Sequence, residues 1–149
     1  MPSSSLPDIL LSVKHPERLV DELARTLEAH IAGRSGLKGL AMKAGFGALR
    51  SAKPDIADRA VRGLMPDIAK ALDPLYAEFM QGQGEDFGNY LTQHAARAAE
   101  LMVAAVDTRL AGNPNAPVKA VYKQFRGSVG DELQKLLPPV GRVLSTHIG

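Results

Sequence analysis

The sequence predicts an all-α protein, a compact orthogonal bundle of six to eight short-to-medium helices in one domain spanning residues 1–149. Three observations lead there. Apolar residues recur at the i, i+3, i+4 spacing of a helix face through most of the chain. No convincing alternation of apolar and polar residues with β-branched enrichment occurs. Most prolines stand where a helix can begin and many glycines where one can end. A length of 149 residues is enough to close one hydrophobic core. With four Phe, three Tyr and no Trp, that core has to come from Leu, Val, Ile and Ala, which suits helix-on-helix packing.

Residues 1–7 are expected to be flexible, and the first helix follows in HPERLVDELARTLEAHIAG. Pro16 suits its first turn, and Glu17, Asp21 and Glu22 lie near the positive end of its dipole. Leu19, Leu23, Leu27 and Ile31 make its stripe, and Gly33 ends it. Ser35 caps a second helix to about Ala52. Pro54 opens a third with Ile56, Ala60, Val61 and Leu64, and Pro66 starts the chain again with Ile68, Leu72, Leu75 and Phe79 in phase. Within that phase Asp73-Pro74 is expected to give a kink or a fresh, Asp-capped start. QGQGE (81–85) and GNPNAP (112–117) read as loop and turn. The long pattern between them, from Asp86 to Gly112, exceeds the usual helix length and is expected to break near Gln93. Val118, Val121, Tyr122 and Phe125 mark a further helix. Ser128 caps another with Val129, Leu133, Leu136 and Leu137, and Pro138-Pro139 interrupts it.

Composition closes off several functions. With no cysteine there are no disulfides, thiol nucleophiles, thiolate zinc sites or iron–sulfur clusters. No run of eighteen apolar residues exists, so no transmembrane segment is expected. The first residues lack the basic and long apolar regions of a signal peptide, which makes a cytoplasmic location the expectation. The formal net charge is only +2, but it is unevenly spread. Residues 33–54 hold Arg34, Lys38, Lys43, Arg50 and Lys53 and no acid, and the segment 117–142 adds Lys119, Lys123, Arg126, Lys135 and Arg142.

GRSGLKGLAMKAGFGALRSAKP (33–54) invites a phosphate-loop reading, but neither G-x-x-x-x-G-K-[ST] nor G-x-G-x-x-G is present and no strand precedes it. Placed on a helical wheel, Leu37, Ala41, Ala44, Ala48 and Ala52 share one arc, and Met42, Phe46 and Leu49 a second. Lys43 and Arg50 share the polar sector, with Lys38 and Lys53 near the ends. Two apolar sides predict a buried central helix whose alanines and Gly45 set a close crossing with a neighbour. Binding of an anionic surface through Lys38, Lys43, Arg50 and Lys53 is the competing reading.

The chemistry-bearing residues form no motif. His30 falls among Leu19, Leu23 and Leu27, and His94 among Tyr90, Leu91, Ala98 and Leu101, so both are candidate buried polar positions in need of a hydrogen-bond partner. No H-x-x-x-H, E-x-x-H or H-E-x-x-H spacing supports a metal, no G-x-S-x-G supports a nucleophile, and no catalytic residue or cofactor is implied.

SGLKGLAMKAGFGALRSAKP, DFGNYLTQH and VYKQFRGSVGDELQKLLP together resemble a small bacterial all-helical family classed as a domain of unknown function. The resemblance runs from about Val13 to Leu144 and implies a stand-alone bacterial cytoplasmic domain, with no activity or site residue to carry over. The reading favoured by the residues is a non-enzymatic helical binding or interaction domain, with a homodimer among its expected states. The first alternative is a binder of nucleic acid or anionic lipid through segments 33–54 and 117–142. The second is an enzyme or small-ligand binder around His30 or His94.

Overall fold

A hydroxyl and a distant carboxylate start the first helix. The computed structural model describes residues 5–82, 86–112 and 115–148. In α1 (Leu6–Leu11), Ser5 Oγ accepts the Asp8 N–H at 3.3 Å and Asp73 Oδ1 accepts the Leu6 N–H at 2.8 Å. Two otherwise free donors are thereby bonded, and Leu6 and Leu10 go into the core. The expectation of a flexible 1–7 is corrected for Ser5, Leu6 and Pro7. Residues 1–4 lie outside the described residues.

The other elements are α2 (Pro16–Ala32), α3 (Gly36–Ala52), α4 (Ile56–Gln81), α5 (Phe87–Gln93), α6 (Ala95–Ala111), α7 (Ala116–Phe125), a 3-10 turn (Arg126–Ser128) and α8 (Val129–Ile148). Among the described residues there is no strand, so the fold is all-α. The break expected near Gln93 is present: α5 ends there, and His94, with φ −114° and ψ 36°, joins it to α6. Asp86 Oδ1 caps α5 through the Asn89 N–H (3.2 Å), and Asn115 Oδ1 caps α7 through the Val118 N–H (3.1 Å). Of the two expected connections, residues 83–85 and 113–114 lie outside the described residues.

The prolines depart from expectation. Helix α4 runs unbroken through Pro66 and Pro74, and α8 through Pro138 and Pro139. A mid-helix proline frees the carbonyl four residues earlier. Those carbonyls belong to Arg62 and Lys70 in α4 and to Gln134 and Lys135 in α8, all exposed residues, on the sides of the helices where a freed carbonyl costs least. Buried Ala57, Ala69, Leu72, Leu75 and Tyr76 hold α4 on both sides of its prolines. Asp73 caps α1 rather than a new helix. Ser128 likewise belongs to the 3-10 turn, where its hydroxyl donates to the Phe125 carbonyl (3.1 Å).

Leu6, Leu19, Leu75, Leu91 and Leu137 are the largest fully buried side chains, contributed by α1, α2, α4, α5 and α8. Tyr76 and Phe79 of α4 meet Phe87 of α5 at centroid distances of 5.0 and 5.5 Å, the first edge to face. The tightest crossing is between α5 and α8, where two glycines stack. A Cβ on Gly141 would lie 2.6 Å from the Gly88 carbonyl oxygen, and one on Gly88 would overlap the Gly141 carbonyl and Ser145 Oγ.

Candidate functional site

Helix α3 grows from residues that form helices well (Leu, Ala, Met, Lys), diluted by Gly39, Gly45 and Gly47 at about 1 kcal/mol of propensity each. Gly36 starts it with φ +77°, a backbone region that favours glycine. Gly39 is fixed by the tight α2–α3 turn, since a Cβ there would meet the Arg34 backbone at 2.7 Å. Met42, Phe46 and Leu49 are half-buried, and Gly45 lies against α7, where a Cβ would stand 3.3 Å from Val121 Cγ1 and 3.4 Å from Phe125 Cε2.

The opposite face of α3 is bare. Leu37 is 87% exposed and Leu40 62%, with exposed Ala44, Gly47, Ala48 and Ser51 following along the same side. Gly39 is the one buried residue of the helix. The expectation of a buried central helix is therefore corrected: α3 is a peripheral helix resting on α2, α4 and α7. Both apolar arcs are real, but only the Met42/Phe46/Leu49 side is covered, and the alanine arc largely faces solvent.

Lys43 and Arg50 border this face, and Lys38 and Lys53 lie toward the other side of α3, near its ends. Lys38, Lys43 and Lys53 are exposed and form no ion pair among the described residues, and the Arg50 guanidinium stands a loose 3.9 Å from Glu28. On α7, packed beside α3, Lys119 and Lys123 are exposed and also lack an ion pair among the described residues. Neither helix contains an acid. Helices α3 and α7 thus bring the first basic segment next to the start of the second. Arg126 is withdrawn from that set, donating to Asp107 Oδ2 at 2.6 Å, and Lys135 and Arg142 are carried by α8. Tyr122 Oη also donates to Asp107. The Arg126 bond, then the Tyr122 bond, hold the Asp107 carboxyl below the ordinary carboxylate range, while burial and then Asp107 push the Tyr122 hydroxyl up.

The two histidines occupy separate places. His30 Nε2 is 2.6 Å from Glu132 Oε1, and Arg34 Nη2 is 3.0 Å from Glu132 Oε2, closing the seam between α2 and α8. Glu132 is buried and its two partners are partly buried, while Arg34 Nε has no hydrogen-bond partner among the described residues. His94 is half-buried and donates from Nδ1 to the Tyr90 carbonyl (2.9 Å) while stacking on the Tyr90 ring at 4.2 Å. Nearby, Arg97 hydrogen-bonds Glu78 and lowers that carboxyl's pKa. Among the described residues, neither histidine is paired with a serine or threonine hydroxyl in a nucleophile–base arrangement. Among the described residues no three His, Asp or Glu side chains converge as metal ligands. No described helix is long and apolar enough to cross a membrane.

The model of DUF6918, a family of unknown function, matches residues 6–148. The chain belongs to that family. No curated protein and no solved structure matches significantly, so the DUF6918 assignment brings no activity with it. For this DUF6918 chain, the sequence singled out Lys38, Lys43, Arg50 and Lys53 but not Leu37 and Leu40 as outward-facing residues. A wheel shows which residues share a side, and the signal that one side was bare lay in its small residues, which leave little to bury.

Proposed function

We propose that the chain is a non-enzymatic interaction domain that docks on anionic bilayer surfaces through α3 and its neighbour α7. The observation that carries this reading is the pairing of two strongly exposed leucines on one face of α3, Leu37 and Leu40, with a helix pair bearing only positive charge. A helix lying in the headgroup layer needs apolar side chains to sink below it and cations to hold anionic lipids. Each lysine near such a surface contributes about 1 kcal/mol, and each fully buried leucine about 1.5–3 kcal/mol. A nucleic-acid surface would use the lysines and leave the leucines in water.

Co-sedimentation of the full chain with vesicles of phosphatidylglycerol and phosphatidylcholine tests this, against pure phosphatidylcholine vesicles. Binding is expected to need the anionic lipid, to weaken with salt, and to fall at least tenfold in both Leu37→Ser/Leu40→Ser and Lys38→Gln/Lys43→Gln/Lys53→Gln. Absence of binding at low salt overturns the reading. Retention on duplex DNA that ignores the leucine substitutions would transfer the site to nucleic acid. A dimer that Leu37→Ser/Leu40→Ser dissociates would mean that a second copy covers this face.

A further inference from the structure

The core contains a space that its own side chains leave unfilled. A cavity of about 170 Å³ lies among α1, α2, α4, α5, α6 and α8, and every residue around it is apolar. A buried water needs two to four polar partners, and this lining offers none, so water gains nothing by entering. Cavities of roughly 150 Å³ with such linings take up benzene, so this one matches a hydrocarbon segment of about six carbons. Leu27 on α2, Val61 and Leu64 on α4, and Leu133 and Val140 on α8 line it while remaining half-exposed, whereas Leu91 and Leu137 are fully buried. The half-exposed lining residues of α2, α4 and α8 accordingly form its rim, and α3 is the segment connecting α2 and α4. His30 and Glu132 each stand within one helical turn of a lining residue, Leu27 and Leu133, but contribute nothing to the lining.

We infer that this cavity is a binding site for a single unbranched hydrocarbon chain, taking about its last six carbons and leaving the polar end of the molecule at the half-exposed rim formed by α2, α4 and α8. Both a free fatty acid and a bilayer lipid present such a chain. The inference stands independently of membrane docking by α3.

Equilibrium dialysis of the full chain against saturated fatty acids from butanoate to dodecanoate tests it. Affinity is expected to rise about fourfold per methylene while carbons still enter the cavity, then to level off near eight carbons. Ala69→Leu, which fills the lining from a buried position on α4, is expected to weaken decanoate binding at least tenfold. Ala60→Leu, at a half-buried lining position, makes the same demand should Ala69→Leu not fold. Native mass spectrometry after incubation with phosphatidylglycerol vesicles separates the sources: a phospholipid adduct assigns the chain to a bilayer lipid, and adducts with added decanoate alone assign it to free fatty acid. No decanoate binding by the folded wild-type chain, or affinity that climbs without levelling and ignores both alanine substitutions, overturns the cavity site. Ala69→Leu is expected to leave vesicle co-sedimentation unchanged. Failure of vesicle binding with decanoate binding intact would therefore remove the surface reading and leave this one.

Discussion

Replacing Gly141 by alanine tests how closely α5 and α8 approach. The new Cβ would lie 2.6 Å from the Gly88 oxygen and 3.1 Å from the Gly88 Cα, against the 3.4 Å at which ordinary contact begins. Both obstacles are backbone, so no side chain can rotate away, and the helices must part by about 0.8 Å, the difference between those distances. A radial gap of that size forfeits a quarter to a half of the dispersion energy of each atom pair it opens. The pairs at risk involve Phe87, Leu91, Leu137 and Leu144, all buried on these two helices. Overpacking of this kind costs about 1–3 kcal/mol after relaxation, even though alanine improves helix propensity by up to about 1 kcal/mol. At this chain length that corresponds to a Tm lower by about 3–10 °C. Gly47→Ala is the control, since nothing lies within 4 Å of its Cβ position in α3 and only the propensity gain remains. Thermal and urea unfolding of both variants is the assay. A Gly141→Ala chain as stable as Gly47→Ala would refute the close crossing.

Glu132→Ala leaves His30 and Arg34 without their shared acceptor and is expected to cost roughly 2–4 kcal/mol by urea unfolding, toward the lower end for a broken buried pair because both partners keep some solvent. Asp73→Ala removes the acceptor for the Leu6 N–H. It is expected to cost about 0.5–2 kcal/mol, with faster hydrogen exchange confined to α1. Asp86, held low chiefly by the Ser145 hydroxyl, shares the direction of Asp107 and Glu78. Folded-state pKa values below the unfolded ones mean stability that is present above about pH 4 and lost as pH falls through the folded values, so Asp107→Asn should flatten the acid limb of urea midpoint against pH. The raised Tyr122 has the opposite window: its contribution is complete below about pH 10 and is lost above, and Tyr122→Phe should reduce that loss.

Local features were legible in the sequence wherever they depend on neighbours in the chain. The α2 stripe, with Leu19 and Ala24 in the core, follows from spacing alone, and the break at His94 from the length of the pattern it divides. The start of α1 was also encoded, in Ser5 three residues before Asp8 and Leu6 four before Leu10, though it was overlooked beside the serines before it. Proline effects were not legible, because the same residue ends a helix or passes unnoticed according to where its freed carbonyl points. Leu37, which shares an apolar arc with the alanines, looked like a core residue since apolarity marks what can be buried, not what is covered. The Gly88–Gly141 stack and the cavity had no sequence signal, because each arises between segments far apart in the chain.

Helix α8 packs on α2, α5 and α6, and His147 near its end reaches Glu22 at 3.2 Å. Its Gly141 is also what α5 stacks against. During synthesis, α2 and α5 therefore leave the ribosome long before the surface that completes them. Nascent chains ending short of residue 129 would carry helices that are individually patterned but collectively open, with the α8-facing sides of α2, α5 and α6 uncovered. Chaperone engagement of the nascent chain should peak in that interval and drop once α8 has emerged, which makes closure of this domain a late and largely single event.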